Sequence, residues 1–407
     1  MAGGLGAFEY YLSSDGSFKI RAALWTTGAV LIITWRLYTI AYNLFFHPLR
    51  HFPGPIYRRA SRFPHAFRSA TGVGPFDIQK LHERYGPVVR IAPNHLSFTD
   101  AEAWHDIYGP IGKNETGLLE MPKSRIYTTV VFDKPDSIIN AEFHEHAMLR
   151  RALAHGFSDS SLRLQEPMLQ KYANLLVQRM RERSENGKTS LNMAAFFNWA
   201  TFDITGELVF GQSFGCLDKC DYHPYIAWLL SSLKVFATLV SSSYLGQRWI
   251  LQLLSKTVGG RHDLLEELIS SQEEWKMSDE GLSSTAFILI IAGSETSATT
   301  LCGITYLLGT HPDALSKLTR EVRSTFQAEA EKMGNRFEAA QPFSYGNRNC
   351  IGRTLAQAEM RLILCRMLLE FDMKLADPTE NWIKRQKAFP LWDRPALNVY
   401  FAPVTTR

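Results

Sequence analysis

The chain has 407 residues, 45% of them hydrophobic and 21% charged, so it can bury a sizeable core and is neither disordered nor of low complexity. Its 44 basic and 40 acidic side chains leave a formal charge of +4 with no run of one sign, which excludes the basic stripe of a nucleic-acid binder. The five cysteines, Cys216, Cys220, Cys302, Cys350 and Cys365, are odd in number and lie mostly in apolar helical stretches, which argues against a disulfide framework and for a reducing compartment.

Residues 22–46 are apolar apart from scattered Thr, Tyr and Asn and one Arg36, long enough as a helix to cross a bilayer core of about 30 Å. Lys19 and Arg21 precede this span, whereas Arg50, Arg58, Arg59 and Arg62 follow it. The positive-inside bias therefore puts residues 1–21 on the lumenal side as a short tail and everything after residue 46 in the cytoplasm. Prolines at 48, 53 and 55 then predict a stiff, non-helical strap over residues 47–55, because each fixes its own φ and restricts its predecessor.

A short helix ends at Tyr85 before the Gly86-Pro87 turn, and residues 88–91 and 96–98 predict a hairpin across Pro93-Asn94. Apolar residues at three and four spacing predict helices over residues 150–155, 165–183, 191–209, 225–240, 264–272, 282–308, 312–331 and 353–370. Leu397, Val399 and Phe401 alternate as in a terminal strand.

The densest chemical signal is the segment from Phe343 to Gly352, which reads Phe-Ser-Tyr-Gly-Asn-Arg-Asn-Cys-Ile-Gly. Gly346 and Gly352 permit turns that a side chain would block, and Arg348 places a fixed charge two residues from Cys350. Cys350 falls just before a predicted helix, whose N-terminal dipole favours the thiolate, the form that binds iron. The segment resembles the haem-binding loop of the cytochrome P450 family, Phe-x-x-Gly-x-Arg-x-Cys-x-Gly, at all five fixed positions.

Two further segments resemble the same family. In the helix predicted over residues 282–308, Ala292-Gly293-Ser294-Glu295-Thr296 resembles the stretch that crosses the haem on its oxygen-binding side. Small Ala292 and Gly293 leave the backbone accessible, and Thr296 can turn its hydroxyl toward the carbonyl four residues back and open the helix locally. Glu295 and Thr296 form an acid and an alcohol able to pass protons to bound oxygen. His146 and Arg150, four apart and so on one helix face, resemble the family's Trp-x-x-x-Arg, with His146 in place of Trp. The resemblance assigns both to a haem carboxylate, for which Arg150 is suited by its bidentate fork.

The resemblance implies a mainly α protein with a small β portion: the cytochrome P450 fold on one N-terminal transmembrane helix, with a haem-thiolate monooxygenase domain over residues 56–407. It implies haem b with Cys350 as the axial iron ligand, Phe343 and Arg348 beside it, and Glu295 and Thr296 as catalytic residues. Electrons are expected from NADPH through a flavoprotein reductase docking near Arg150, Arg151 and Arg353, in the endoplasmic reticulum membrane, for oxidation of an apolar small molecule of fungal secondary metabolism. The chain departs from the family in one respect: no Glu is followed three residues later by Arg. The helix carrying that pair and the meander that locks onto it are absent near residues 331–336, and a second segment is short near 256–263. The alternative expectation is accordingly a truncated remnant that binds haem poorly and has no catalytic function.

Overall fold

The computed structural model describes residues 4–111, 120–124, 137–232, 279–324, 341–377 and 381–404. From the N-terminus, helix α1 (Gly4–Ala41) runs into a π-helical turn (Tyr42–Phe46) and a 3-10 turn (Pro48–His51), followed by helices α2 (Ile56–Ala60), α3 (Phe63–Ala70) and α4 (Gly74–Tyr85). The hairpin of β1 (Val88–Ala92) and β2 (His95–Phe98) precedes α5 (Glu102–Tyr108), α6 (Phe143–Ala154), α7 (Asp159–Ser184), β3 (Leu191–Asn192), α8 (Met193–Phe210) and α9 (Cys216–Lys219). Beyond them come α10 (Asp279–Thr310), α11 (Pro312–Ser324), α12 (Arg353–Glu370), β4 (Phe371–Leu375), α13 (Trp382–Arg385), β5 (Lys387–Ala388), β6 (Trp392–Asp393) and β7 (Asn398–Pro403). Among the described residues helices dominate and the strands form three small antiparallel sheets, the mainly α class that the sequence predicts. The chain divides into two compact units, Met1–Phe67 with Phe76–Thr99 and Arg68–Pro75 with Asp100–Arg407.

In the first unit, Arg21–Phe46 is long and apolar enough to cross a membrane, and Leu24, Trp25, Leu31 and Leu37 are all exposed around it. The strap differs from its expected non-helical form, because Pro48–His51 is one turn of 3-10 helix. Proline at the first helical position already has a helix-compatible φ and no N–H to satisfy, and His47 Nδ1 accepts from Leu49 N at 3.0 Å. Residues 52–55 carry no helix, and Pro53 O accepts from Arg90 N at 2.7 Å. Arg90 is fully buried, with Nε and Nη2 on Pro93 O at 3.0 and 2.8 Å and Nη1 on Asn43 O at 3.1 Å. Val88 pairs with Phe98 and Arg90 with Leu96, the hairpin expected from sequence.

In the second unit, the helix starts follow local capping. Ser158 Oγ accepts from Ser161 N at 3.3 Å to start α7, and Asn192 Oδ1 accepts from Ala194 N at 3.2 Å to start α8. Leu191 and Asn192 are strand rather than the first turn of a helix, because they pair with Val399 and Asn398 of β7. Helix α8 ends at Gly211 with φ +71°. It is buried on most sides, as an apolar-all-round helix must be, and packs against α10. A Cβ on Gly293 of α10 would lie 3.1 Å from Thr205 of α8, so the glycine sets how closely the two helices approach.

β7 runs between β3 and β4, turning Val399 and Phe401 into the core and Asn398 and Tyr400 outward. Leu176, Met180, Phe197, Leu301, Ile363 and Met367 join that core. Helices 312–331 and 225–240 are described only to Ser324 and residue 232, whereas residues 264–272, 256–263 and 331–336 lie outside the described residues.

Candidate active site

A 3-10 turn over Gly346–Arg348 lifts the cysteine loop out of extended backbone and delivers it to the start of α12. Gly346 has φ +72°, and a Cβ there would sit 1.8 Å from Tyr108 O, so only glycine fits both the left-handed backbone and the close approach to α5. His105 of α5 also packs on Tyr345, with ring centroids 4.4 Å apart. Cys350 N donates to Phe343 O at 2.8 Å and closes the loop, while the Arg353 guanidinium lies 5.7 Å from the centre of the Phe343 ring. Cys350 is exposed, three residues before α12, whose N-cap Gly352 supplies no side-chain cap. Cys302 and Cys216, in contrast, are wholly buried, and burial pushes each thiol up to about 11.

Beside the loop the structure places Arg348, Arg150 and His146 together with Glu120 and Lys123, two residues that the sequence did not single out. Arg348 directs Nε and Nη2 to Glu120 Oε1 at 2.8 and 2.6 Å, and Nη2 also to Ala141 O at 2.9 Å. Arg150 donates to Asn349 O at 2.7 Å and to Asn349 Oδ1. Burial, then the charges of Arg348 and Arg150, lower His146 to about 4, so its ring is neutral. Burial and Arg348 likewise lower Lys123 to about 8, against the pull of Glu120.

On α10, Ala292, Gly293 and Thr296 share an exposed face. Thr296 Oγ1 donates to Ala292 O at 2.6 Å, the bond anticipated, but α10 runs on unbroken through this turn. One backward bond leaves the α-helical ladder intact here, and the expected local opening is not present. Glu295 points elsewhere. It is buried and ion-paired with Arg394 Nη2 at 2.6 Å, and Arg394 also donates to Asn198 Oδ1 at 2.7 Å. Burial raises the Glu295 carboxyl while Arg394 pulls it down.

α10 meets α12 through Ser297 Oγ, which donates to Glu359 Oε2 at 3.2 Å. Glu359 is buried, and that burial pushes its carboxyl up to about 8. Its signal was in the sequence: Leu355, Glu359, Ile363 and Met367 are four apart on one helix face, and Ile363 and Met367 are buried. Arg394 and Glu120 had no such signal, since their partners are far away in sequence.

This donor set fits haem. The exposed thiol of Cys350 stands at a helix start, with the guanidinium groups of Arg348 and Arg150 beside the same loop. Arg348 Nη1 is buried with no partner among the described residues, a donor still to be satisfied.

The comparisons with known proteins agree. The cytochrome P450 family profile matches residues 53–270, 251–335 and 326–396. The chain is 36% identical to cytochrome P450 monooxygenase tpeC of Talaromyces stipitatus, over 93% of this chain and 94% of the relative. It is 32% identical to the trichothecene C-15 hydroxylase of Fusarium sporotrichioides (91% and 96% covered) and 30% identical to the averantin hydroxylase of Dothistroma septosporum (94% and 92% covered). The first of these alignments extends over 484 positions, more than the 407 residues of this chain, so that relative has positions with no counterpart here. The chain belongs to the cytochrome P450 family of haem-thiolate monooxygenases.

Proposed function

We propose that this chain is a membrane-anchored monooxygenase that inserts one oxygen atom from dioxygen into an apolar small molecule of fungal secondary metabolism, with Cys350 as the iron ligand. The observation that carries it is the exposure of Cys350 at the start of α12, in a loop closed by its own amide, while Cys302 and Cys216 are buried. Haem held through Cys350 would supply the oxygen-activating chemistry, and the thiolate's electron donation to the iron would favour cleavage of the O–O bond.

The chain's own residues do the rest. Phe343, Arg348, Arg150 and His146 line the cofactor's place, with Arg348 Nη1 the donor left for a carboxylate. The small side chain of Ala292 keeps the exposed α10 face low enough for substrate and oxygen to approach. The Thr296 hydroxyl, held on Ala292 O, presents its oxygen as an acceptor and relays a proton. Glu295 is the neighbouring acid, and it joins proton traffic when Arg394 releases it.

NADPH-derived electrons enter through a flavoprotein reductase that docks where Arg151 and Arg353 offer positive charge. Residues 22–46 anchor the chain once in the endoplasmic reticulum membrane, with residues 56–407 as the cytoplasmic catalytic domain. The test is the reduced, carbon-monoxide-bound spectrum. Cys350→Ala abolishes the thiolate signature, whereas Cys302→Ala and Cys365→Ala retain it; a thiolate signature in Cys350→Ala overturns the assignment.

A specific observation favours a second reading, in which the 407-residue chain is a truncated remnant. It has no Glu-x-x-Arg, and the family match breaks into three stretches that meet at residues 251–270 and 326–335. A chain with no haem as it stands, made haem-binding by insertion of a Glu-x-x-Arg helix and meander after Glu331, decides for the remnant.

A further inference from the structure

We infer that Arg150 is a positioning residue for the iron-ligating loop, acting on the Asn349–Cys350 peptide rather than only on a cofactor carboxylate. The inference rests on Cys350 being the ligand.

The direction in which Cys350 presents its sulfur is set by the peptide group before it. That peptide is held at both ends. Its N–H, on Cys350, donates to Phe343 O at 2.8 Å, and its carbonyl, on Asn349, accepts from Arg150 Nη1 at 2.7 Å. Asn349 N donates in turn to Gly346 O at 3.1 Å, so the whole link from the 3-10 turn to the cysteine is tied down.

Arg150 applies its second nitrogen to Asn349 Oδ1. A planar fork that engages both the carbonyl and the side chain of one residue fixes orientation as well as distance. Its base is firm, because Leu149 and His146 on the same helix are buried. The clamp joins positions 199 residues apart, which is why the sequence shows nothing of it. A second arginine at the loop, Arg348, is held by Glu120 and Ala141 O and keeps Nη1 for the cofactor. Arg348 thereby keeps a donor for the cofactor, while Arg150 adds a hold on the loop to its place beside the cofactor.

The experiment uses the full chain with Arg150→Gln, Arg150→Lys, Asn349→Ala and the Arg150→Gln/Asn349→Ala pair. Haem content, the thiolate-ligated fraction in the reduced carbonyl spectrum, and hydrogen exchange of the 343–352 peptide before haem is added are read for each. In the haem that Arg150→Gln retains, the balance of thiolate-ligated to thiolate-free haem shifts about tenfold or more toward the free form, the scale of one lost charge-assisted hydrogen bond. Asn349→Ala, which keeps the carbonyl and loses Oδ1, shifts the balance less in the same direction. The pair is no worse than Arg150→Gln, as coupled residues require, and Arg150→Lys recovers part of the loss.

The haem-free chain exchanges the Cys350 amide faster in Arg150→Gln and Asn349→Ala. Arg150→Gln that loses haem while the remainder stays thiolate-ligated, with Asn349→Ala silent and exchange unchanged, overturns the inference and returns Arg150 to the cofactor. Because exchange is read without haem, it decides the clamp even if the unmutated chain binds none, a result that would count against the monooxygenase reading alone.

Discussion

Arg394 Nη2 donates to Glu295 Oε2 over 2.6 Å, and each side chain is only 4% exposed. The pair ties α10 to the segment between β6 and β7, and its cost and benefit are both large because neither charge reaches water. Arg394→Met leaves a buried carboxylate unpaired and costs about 3–5 kcal/mol of stability, measured by urea unfolding of the haem-free chain. Arg394→Met with Glu295→Leu removes both charges and recovers most of the loss. Equal loss in the single and double variants would show that packing, not charge, is at stake.

Glu359 gives the protein a pH dependence of opposite sign to ordinary acid unfolding. Its folded carboxyl titrates near 8 and its unfolded one in the usual carboxylate range, so the folded state keeps a proton that the unfolded state has lost. The stability this protects is full below the carboxylate range, falls by about 1.4 kcal/mol per pH unit as pH rises toward 8, and is level beyond. Glu359→Gln flattens that slope. Unfolding free energy of both proteins measured from pH 5 to about 9 checks it.

His146 acts at the acid end. Its folded value near 4 lies below the free value of 6.5, so the unfolded chain takes up a proton that the folded chain refuses. The contribution is full above 6.5 and is lost as pH falls toward 4. His65, lowered to about 4 chiefly by its own burial, adds to the same slope, and the difference between the unmutated chain and His146→Gln isolates one ring. A difference that does not change between pH 7 and pH 4 would mean that His146 does not titrate as its surroundings dictate.

Thr296→Ala removes the hydroxyl that bonds Ala292 O on the exposed face of α10. NADPH consumption continues, hydrogen peroxide is released, and product formation falls by about 10² or more. The spectral change on adding substrate persists, because substrate binding does not use that hydroxyl. Equal coupling in the variant, measured as product per NADPH, would reduce Thr296 to a helix residue.

The proposed anchor, residues 22–46, makes a topological prediction. Protease added to sealed microsomes digests everything after residue 46, and Asn114, in an Asn-Glu-Thr sequon, carries no glycan. Protection of the large domain would reverse the orientation.

Short-range chemistry made much of this protein legible in its sequence. The Phe343–Gly352 spacing, the helix after it, the Val88–Phe98 hairpin, the apolar span and the Ala292–Thr296 pattern each depend on neighbours a few residues away, and periodicity and turn residues report such neighbours directly. The tertiary structure decided which charges meet. Glu295 sits next to Thr296 in sequence, yet a helix turns successive residues about 100° apart, and Arg394 claims the acid on the buried side. Arg150 meets Asn349 and Glu120 meets Arg348 only because the chain brings residues some 200 positions apart to one loop. Strand pairing acted likewise at Leu191–Asn192, where β7 overrode a helical pattern. Local periodicity fixes which face of an element is apolar; the partner that a buried charge finds there is set by packing between elements, which no local pattern encodes.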